Sequence, residues 1–379
     1  MADDRPLRVL YVARAPFVSG AERALRSMLR FVDRDRIEPG LVVGHHSGLL
    51  ADARALGIEP VVVPLPKRSR WRPLAWWRSL AALRAVIERF RPDVLHANDV
   101  PSCQAVSVLG QRIGIARIVH VRWGITAPDA AWWARCGAER VICISRWVRD
   151  QLGDTTGTAL AGAAVDVLPY SVDWPALDTA PPAPQDRTAD QPLTLGFAGQ
   201  LIESKGLDLV IEAMGKLDPA QRPRLLVAGK DTQSDGAYET HLRDLASRLG
   251  VADGIDWLGF LDDVADLHRR VDAMVCPSRL EPLGLVPLEA ARFARPTLAN
   301  RVGGLAETII DGRTGMLIDP TPDAWAAALR HADRAALAVL GKAACAHTRD
   351  HFSPMVYQQR LNEIYRASLT PSLAARGQG

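Results

Sequence analysis

Glu281 and Glu289 stand eight residues apart in the stretch Pro277-Ser-Arg-Leu-Glu-Pro-Leu-Gly-Leu-Val-Pro-Leu-Glu-Ala290. Pro282, Gly284 and Pro287 break any continuous helix through both carboxylates. The spacing predicts a loop carrying Glu281 after a strand at Ala273–Val275, then a helix that begins near Leu285 or Val286 with Glu289 in its early turns. Backbone N–H groups at a helix start, helped by about half a unit of positive charge from the helix dipole, face an anion such as a pyrophosphate. Gly284 lets such a ligand come close to the backbone. Ahead of the helix, Glu281 can accept hydrogen bonds from sugar hydroxyls; further in, Glu289 can take both hydroxyls of a ribose. A nucleotide sugar has this chemistry. The plainer alternative is an ordinary exposed helix glutamate and a helix-start carboxylate. It is weakened by a preceding strand, a Gly/Pro loop, and Gly303-Gly304 at the next strand-to-helix turn.

Positioning these groups takes an α/β framework, and the chain carries the pattern twice. Arg8–Ala13 is a short apolar strand, followed by a small-residue turn at Ser19-Gly20 and a helical stripe of Leu25, Met28 and Leu29. Strand-like runs continue at Leu41–Val43, Val61–Val63, Val94–Ala97, Arg117–Val121 and Val141–Ser145, mostly separated by helical patterns. Ala180–Pro184 and the polar residues after it read as a linker. The pattern then restarts with a strand at Leu193–Ala198, a turn at Gly199–Gly206 and a helix from Leu207. Strands at Arg224–Ala228, Ile255–Leu258, Ala273–Val275 and Thr297–Asn300 follow.

Such alternation predicts parallel sheets covered on both faces. The expected fold class is α/β, with two doubly wound Rossmann-like domains at residues 1–178 and 193–352. A linker at 179–192 joins them, and a C-terminal helix and tail at 353–379 are expected to pack back on the N-terminal domain. Ligands of such sheets bind beyond the carboxyl ends of the strands, so a cleft between two facing domains is the expected site. Ser353 and Pro354 supply an N-cap and an N1 proline for the tail helix, read over Ser353–Arg366.

The segment around the two glutamates resembles the donor-binding signature of the group 1 (family 4) retaining glycosyltransferases, which have the GT-B fold. The resemblance runs on through Ala299–Glu307 and Asp311–Leu317, and takes in Gly199–Gly206, Leu226–Gly229 and Leu258–Phe260. It implies Lys205 at the donor diphosphate, where a cation stabilises the charge that grows as a nucleoside diphosphate departs. Catalytic candidates are Glu281, Lys205 and His120. The implied donor-binding set is Gly20, Gln200, Lys205, Gly229, Phe260, Glu281, Leu283, Gly284, Leu285 and Glu289, with Gly229-Lys230 and Gly259-Phe260 holding the base.

The departures from the family pattern are specific. Gln200 takes the place of the usual arginine and leaves the diphosphate clamp one charge short. Ser19 replaces the first of two loop glycines, and reads equally well as a helix N-cap. Tyr170-Ser171 stands for the usual Asn-Gly before Val172-Asp173. Either His120 or Arg122 occupies the family's histidine position, and alternation along the strand puts both on one face; a satisfied core histidine is an equal reading of His120. Ser145 matches the family's serine at the next turn, and Arg122 and Ser145 are the acceptor-side candidates.

The implied reaction keeps the anomeric configuration and needs no metal and no cofactor. The implied donor is UDP- or GDP-linked, and the acceptor is a glycan, a lipid-linked sugar or a small molecule held by the N-terminal domain. Two alternatives share the fold: a nucleotide-sugar epimerase, and a non-catalytic sugar-nucleotide-binding or membrane scaffold protein.

The whole chain is compatible with this reading. Its 379 residues exceed one ordinary core, and a net charge of +3 gives no reason to expect nucleic acid. Five cysteines without a CxxC pair fit reduced, mostly buried thiols and a cytoplasmic protein. Neither half has a GxGxxG turn after its first strand, and there is no GxxxxGK[ST] loop. One edge stands out. Lys67–Arg78 combines five cations with Trp71, Trp76 and Trp77. Trp76, Leu80, Leu83, Ile87 and Phe90 form a stripe for the core, while Trp71, Trp77 and the arginines are left over. They read either as the solvated start of a packed helix or as a peripheral contact with the inner face of a membrane.

Overall fold

The computed structural model describes residues 5–14, 20–66, 73–123, 137–156, 163–172, 191–261 and 263–376. The chain divides into two compact units, Met1–Asp173 with Pro354–Gly379, and Trp174–Ser353. Each unit is built on one wholly parallel sheet.

In the first unit the strands are β1 (Leu7–Ala13), β2 (Ile37–Val43), β3 (Val61–Val62), β4 (Val94–Ala97), β5 (Ala116–Val121), β6 (Arg140–Cys143) and β7 (Ala164–Val167). They lie in the order β3-β2-β1-β4-β5-β6-β7. The second unit has β8 (Thr194–Ala198), β9 (Arg224–Ala228), β10 (Ile255–Gly259), β11 (Ala273–Cys276), β12 (Thr297–Asn300) and β13 (Gly315–Ile318), in the order β10-β9-β8-β11-β12-β13. Both orders reverse direction beside the first strand, between β1 and β4 and between β8 and β11. That reversal is the doubly wound arrangement, and it opens a crevice beyond the carboxyl ends of the strands on either side of it.

The strands are nearly continuous apolar runs because both faces are covered. Val9, Tyr11, Leu41 and Ile118 enter the first core, and Leu195, Leu225, Val275 and Leu298 the second. Two strands lay outside the sequence expectation, β7 and β13, each of four residues. Ser145 ends the β6 segment not as a strand residue but as a helix cap: its Oγ accepts from Val148 N at 3.0 Å at the start of helix Arg146–Thr156.

The C-terminal helix runs from Pro354 to Arg376, beyond the expected end at Arg366. Its stripe of Tyr357, Leu361, Ile364 and Tyr365 is part of the first unit's core, packed with Tyr11, Leu25 and Met28. Gln358 fixes the register by donating to the Met28 carbonyl at 3.0 Å. Among the described residues no helix is long and apolar enough to cross a membrane. Helix Pro73–Phe90 buries Trp76, Leu80, Leu83 and Ile87, as its periodicity predicts; Lys67–Arg72, Ser19 and most of the linker lie outside the described residues.

Candidate functional site

In the second unit, the turn after β8 and the loop after β11 flank the reversal point. Arg279 ties them together: its N–H donates to the Ser204 carbonyl at 2.8 Å, and its guanidinium donates to the Glu203 carbonyl at 2.6 Å. The same guanidinium grips Asp208 with two nitrogens. Burial alone would raise the Asp208 pKa, but Arg279 and the Tyr238 hydroxyl hold it below the ordinary carboxylate value.

Gly206 makes the interlock possible. It sits at φ +65°, and a Cβ there would lie 2.1 Å from the Pro277 carbonyl oxygen. From the other side, buried Asn300 at the end of β12 donates through Nδ2 to the carbonyls of Pro277 at 2.6 Å and Ser278 at 3.1 Å. Its own Oδ1 accepts from Trp325 Nε1 at 2.7 Å, which leaves the amide one orientation.

The result of this bracing is contact between two of the predicted residues. Lys205 Nζ lies 2.6 Å from Glu281 Oε2, with the side chains 29% and 15% exposed. Ser278 Oγ also donates to Oε2, at 3.3 Å, so neither contact falls on Oε1. Burial works against the Lys205 ammonium, but the charge and hydrogen bond of Glu281 outweigh it and its pKa stands above the ordinary lysine value. Burial and the same glutamate push the thiol of neighbouring Cys276 up to about 11, so this cysteine is a neutral wall rather than a nucleophile.

The helix after the loop runs from Leu285 to Ala291, with Gly284 at φ +94° before it and half-buried Glu289 on it. The Leu283 side chain is buried. Gly303 and Gly304 press on this loop from below. Added Cβ atoms would lie 2.1 Å from the Glu281 carbonyl oxygen and 2.2 Å from that of Pro282, and Gly304 N donates to the Glu281 carbonyl at 2.9 Å. The glycine pair is thus required by backbone packing that sets where Glu281 stands.

Gln200, Gly229 and Phe260 follow β8, β9 and β10 on the same carboxyl edge. Backbone bonds stitch these turns: Gly199 N to the Ala228 carbonyl, Leu201 N to Lys230, and Gly229 N to Gly259. Gln200 is exposed. Phe260 is an exposed ring with Lys230 Nζ 5.7 Å from its centroid.

The first unit has a polar cluster at the ends of β4 and β5. His120 and Arg122 share one face, as the alternation predicts, and both are buried. Arg122 donates through Nε to the Asn98 carbonyl at 3.1 Å and through Nη2 to Asn98 Oδ1 at 2.6 Å, and its guanidinium lies 5.1 Å from the Tyr170 ring centroid. His120 Nδ1 lies 3.4 Å from Arg122 Nη2. Burial first, and the Arg122 charge second, hold His120 far below the ordinary histidine pKa and bring His96 down to about 3, so both rings are neutral. His120 is not a satisfied core histidine: its Nε2, with His96 Nε2, Asn98 Nδ2 and Arg122 Nη1, is buried without a protein partner among the described residues. His96 and Asn98 escaped the sequence reading, although two polar residues closing an apolar strand, Val94-Leu-His-Ala-Asn98, are the signal that marks them. Gly20 is the first residue of helix Gly20–Arg30.

Comparison with known proteins agrees with this geometry. The family model "Glycosyl transferases group 1" matches residues 183–334, and "Glycosyltransferase Family 4" matches residues 18–173. The chain is 29% identical over 259 residues to glycogen synthase of Mycobacterium tuberculosis (strain ATCC 25618 / H37Rv), covering 63% of this chain and 59% of that protein. It is 30% identical over 271 residues to D-inositol 3-phosphate glycosyltransferase of Stackebrandtia nassauensis, covering 62% and 59%. The match therefore spans about three fifths of the length of these relatives. The crystal structure of Anabaena Alr3699/HepE in complex with UDP superposes with a TM-score of 0.82 at 18% identity, over 95% of this chain and 100% of that one. The same protein has also been solved with UDP-glucose. At that identity the likeness establishes the fold, two parallel-sheet α/β domains of the GT-B type. With two family models matched in tandem along it, the chain belongs to the group 1, family 4 glycosyltransferases.

Proposed function

We propose that the protein transfers a hexose-type sugar from a nucleotide-sugar donor to a glycan, lipid-linked or small-molecule acceptor, with retention and without a metal ion. The observation that carries this reading is the Lys205–Glu281 pair at the reversal point of the second sheet, beside the helix that bears Glu289. A permanently charged lysine suits a diphosphate whose charge grows as it leaves. With Oε2 already engaged, Glu281 keeps Oε1 for a sugar hydroxyl. Glu289 is assigned to the ribose, and Phe260 with Gly229 to the base. The complexes of HepE with UDP and UDP-glucose support a uridine donor.

In the proposed reaction the bond from the sugar C1 to the diphosphate breaks and a bond from C1 to the acceptor oxygen forms on the same face. The acceptor proton passes to the departing diphosphate, so no pair of protein carboxylates is needed, unlike in retaining glycosidases. Release of nucleoside diphosphate from a panel of UDP- and GDP-sugars tests the reading. Turnover of at least one donor that persists in excess EDTA is expected. Glu281→Gln should lower kcat by roughly a hundred-fold, while Glu289→Ala should mainly raise KM. Activity abolished by EDTA and restored by a divalent metal would remove the metal-free mechanism.

The acceptor side has a surface feature of its own. On helix Pro73–Phe90, Leu74 is 71% and Trp77 52% exposed, Arg78 is exposed, and the Arg112 guanidinium lies 5.8 Å from the Trp77 ring. We infer that this face touches an anionic membrane, inserting the aromatic ring between basic residues. Co-sedimentation with anionic vesicles at low salt should capture the wild type and lose Trp77→Ala; equal recovery of both in the supernatant would end the idea.

A further inference from the structure

The first unit's polar cluster is backed by a residue from the far end of the chain. Tyr365 sits on helix Pro354–Arg376, fully buried, at a position where the core stripe would otherwise be served by a phenylalanine. Its hydroxyl lies 2.7 Å from His96 Nδ1 and donates to the Tyr11 hydroxyl at 3.0 Å. A phenol has one proton. If that proton goes to Tyr11, His96 must carry its own proton on Nδ1 and donate it to Tyr365, which leaves His96 Nε2 as a bare acceptor.

The ring of His96 then meets that of His120, with centroids 5.6 Å apart and planes 29° from parallel. On its other side His120 presents Nδ1 to Arg122 Nη2 at 3.4 Å. A guanidinium only donates, so His120 Nδ1 accepts and its proton lies on Nε2. The two neighbouring imidazoles therefore hold opposite tautomers. The atoms left without a protein partner among the described residues become a matched set: donors on His120 Nε2, Asn98 Nδ2 and Arg122 Nη1, and an acceptor on His96 Nε2.

We propose that Tyr365 is a positioning residue, which fixes the tautomer of His96 and through the stacked ring holds His120 and Arg122 in place at the ends of β4 and β5. The C-terminal helix thus sets the hydrogen-bonding pattern that the N-terminal half offers to a substrate. The substrate part of this statement rests on the glycosyl-transfer reading above; the tautomer part does not.

The test uses the full chain with 15N-labelled histidine. Long-range 15N–1H spectra at pH 7 should show His96 protonated on Nδ1 and His120 on Nε2. Tyr365→Phe keeps the ring in the core but removes the acceptor, and should release His96 from the Nδ1–H form. Tyr11→Phe should do the opposite: Tyr365, freed of its acceptor, turns its proton to His96 and drives it to the Nε2–H form. In turnover assays Tyr365→Phe should lower kcat roughly ten-fold with KM for the nucleotide sugar within about two-fold, because Lys205, Glu281 and Glu289 belong to the other unit. Identical imidazole spectra in wild type and both variants would overturn the proposal. So would altered spectra with an unchanged kcat. Failure of the wild type to turn over any donor would sink the glycosyl-transfer reading instead, while the spectra still decide whether Tyr365 sets His96.

Discussion

The charge on Lys205 and the lack of charge on His96 and His120 arise from opposite balances of the same two effects. Burial penalises a cation at each position. For Lys205 a carboxylate at 2.6 Å more than compensates. For the histidines the nearest charge is another cation, Arg122, which adds to the penalty. A folded-state pKa of about 3 for His96 against 6.5 when unfolded carries a definite sign. The unfolded chain binds the extra proton, so the first unit loses stability as pH falls below 6.5 and keeps losing it until about 3. Between pH 7.5 and 5, His96 alone should account for about 2 kcal/mol. Urea unfolding of the wild type and His96→Gln at both pH values checks this. The variant should show the shallower loss, and parallel curves would contradict a buried neutral His96. For the same reason neither imidazole gives the reaction an ionisation near pH 6.5.

Among the elements, turns matter more than strands. The strands of both sheets were legible in the sequence because a parallel sheet covered on both faces writes itself as short apolar runs. Of the two that escaped, only β7 fails that criterion; β13 meets it but is very short. β7 has exposed or half-buried residues and contains Asp166, which pairs with Arg140, while β13 is only Gly-Met-Leu-Ile. The start of the helix at Leu285 was legible from Gly284 and Pro287. What could not be read was why Gly303 and Gly304 are needed, since their partners, the carbonyls of Glu281 and Pro282, lie some twenty residues earlier in the chain. Gly303→Ala should cost about 2–4 kcal/mol, from a left-handed φ of +56° and a Cβ 2.1 Å from a backbone oxygen. A melting transition for the second unit unchanged from wild type would show that the loop under Glu281 yields more easily than its packing implies.

At the scale of the whole molecule, the chain returns its last helix to the unit it began with. That return could be anticipated only as an expectation about a tail. Its consequence could not, because the partnership of Tyr365 with His96 and Tyr11 spans 269 and 354 residues of sequence and leaves no local pattern. The second unit is the opposite case. Lys205 and Glu281 each sit in a recognisable turn or loop and meet at 2.6 Å, while Glu289 stands on the helix that follows. The bracing by Asn300, Trp325 and the Arg279–Asp208 pair, by contrast, became visible only in three dimensions.

We propose that this braced second unit binds a nucleoside diphosphate through Lys205 and Glu289. A thermal-shift titration with UDP, GDP and their sugar conjugates is the test, since a ligand that binds only the folded state raises the melting temperature by an amount that grows with the logarithm of its concentration over Kd. A saturable rise is expected for at least one nucleotide in the wild type, strongly reduced in Lys205→Ala and in Glu289→Ala. No rise with any nucleotide, or an equal rise in wild type and both variants, would contradict it.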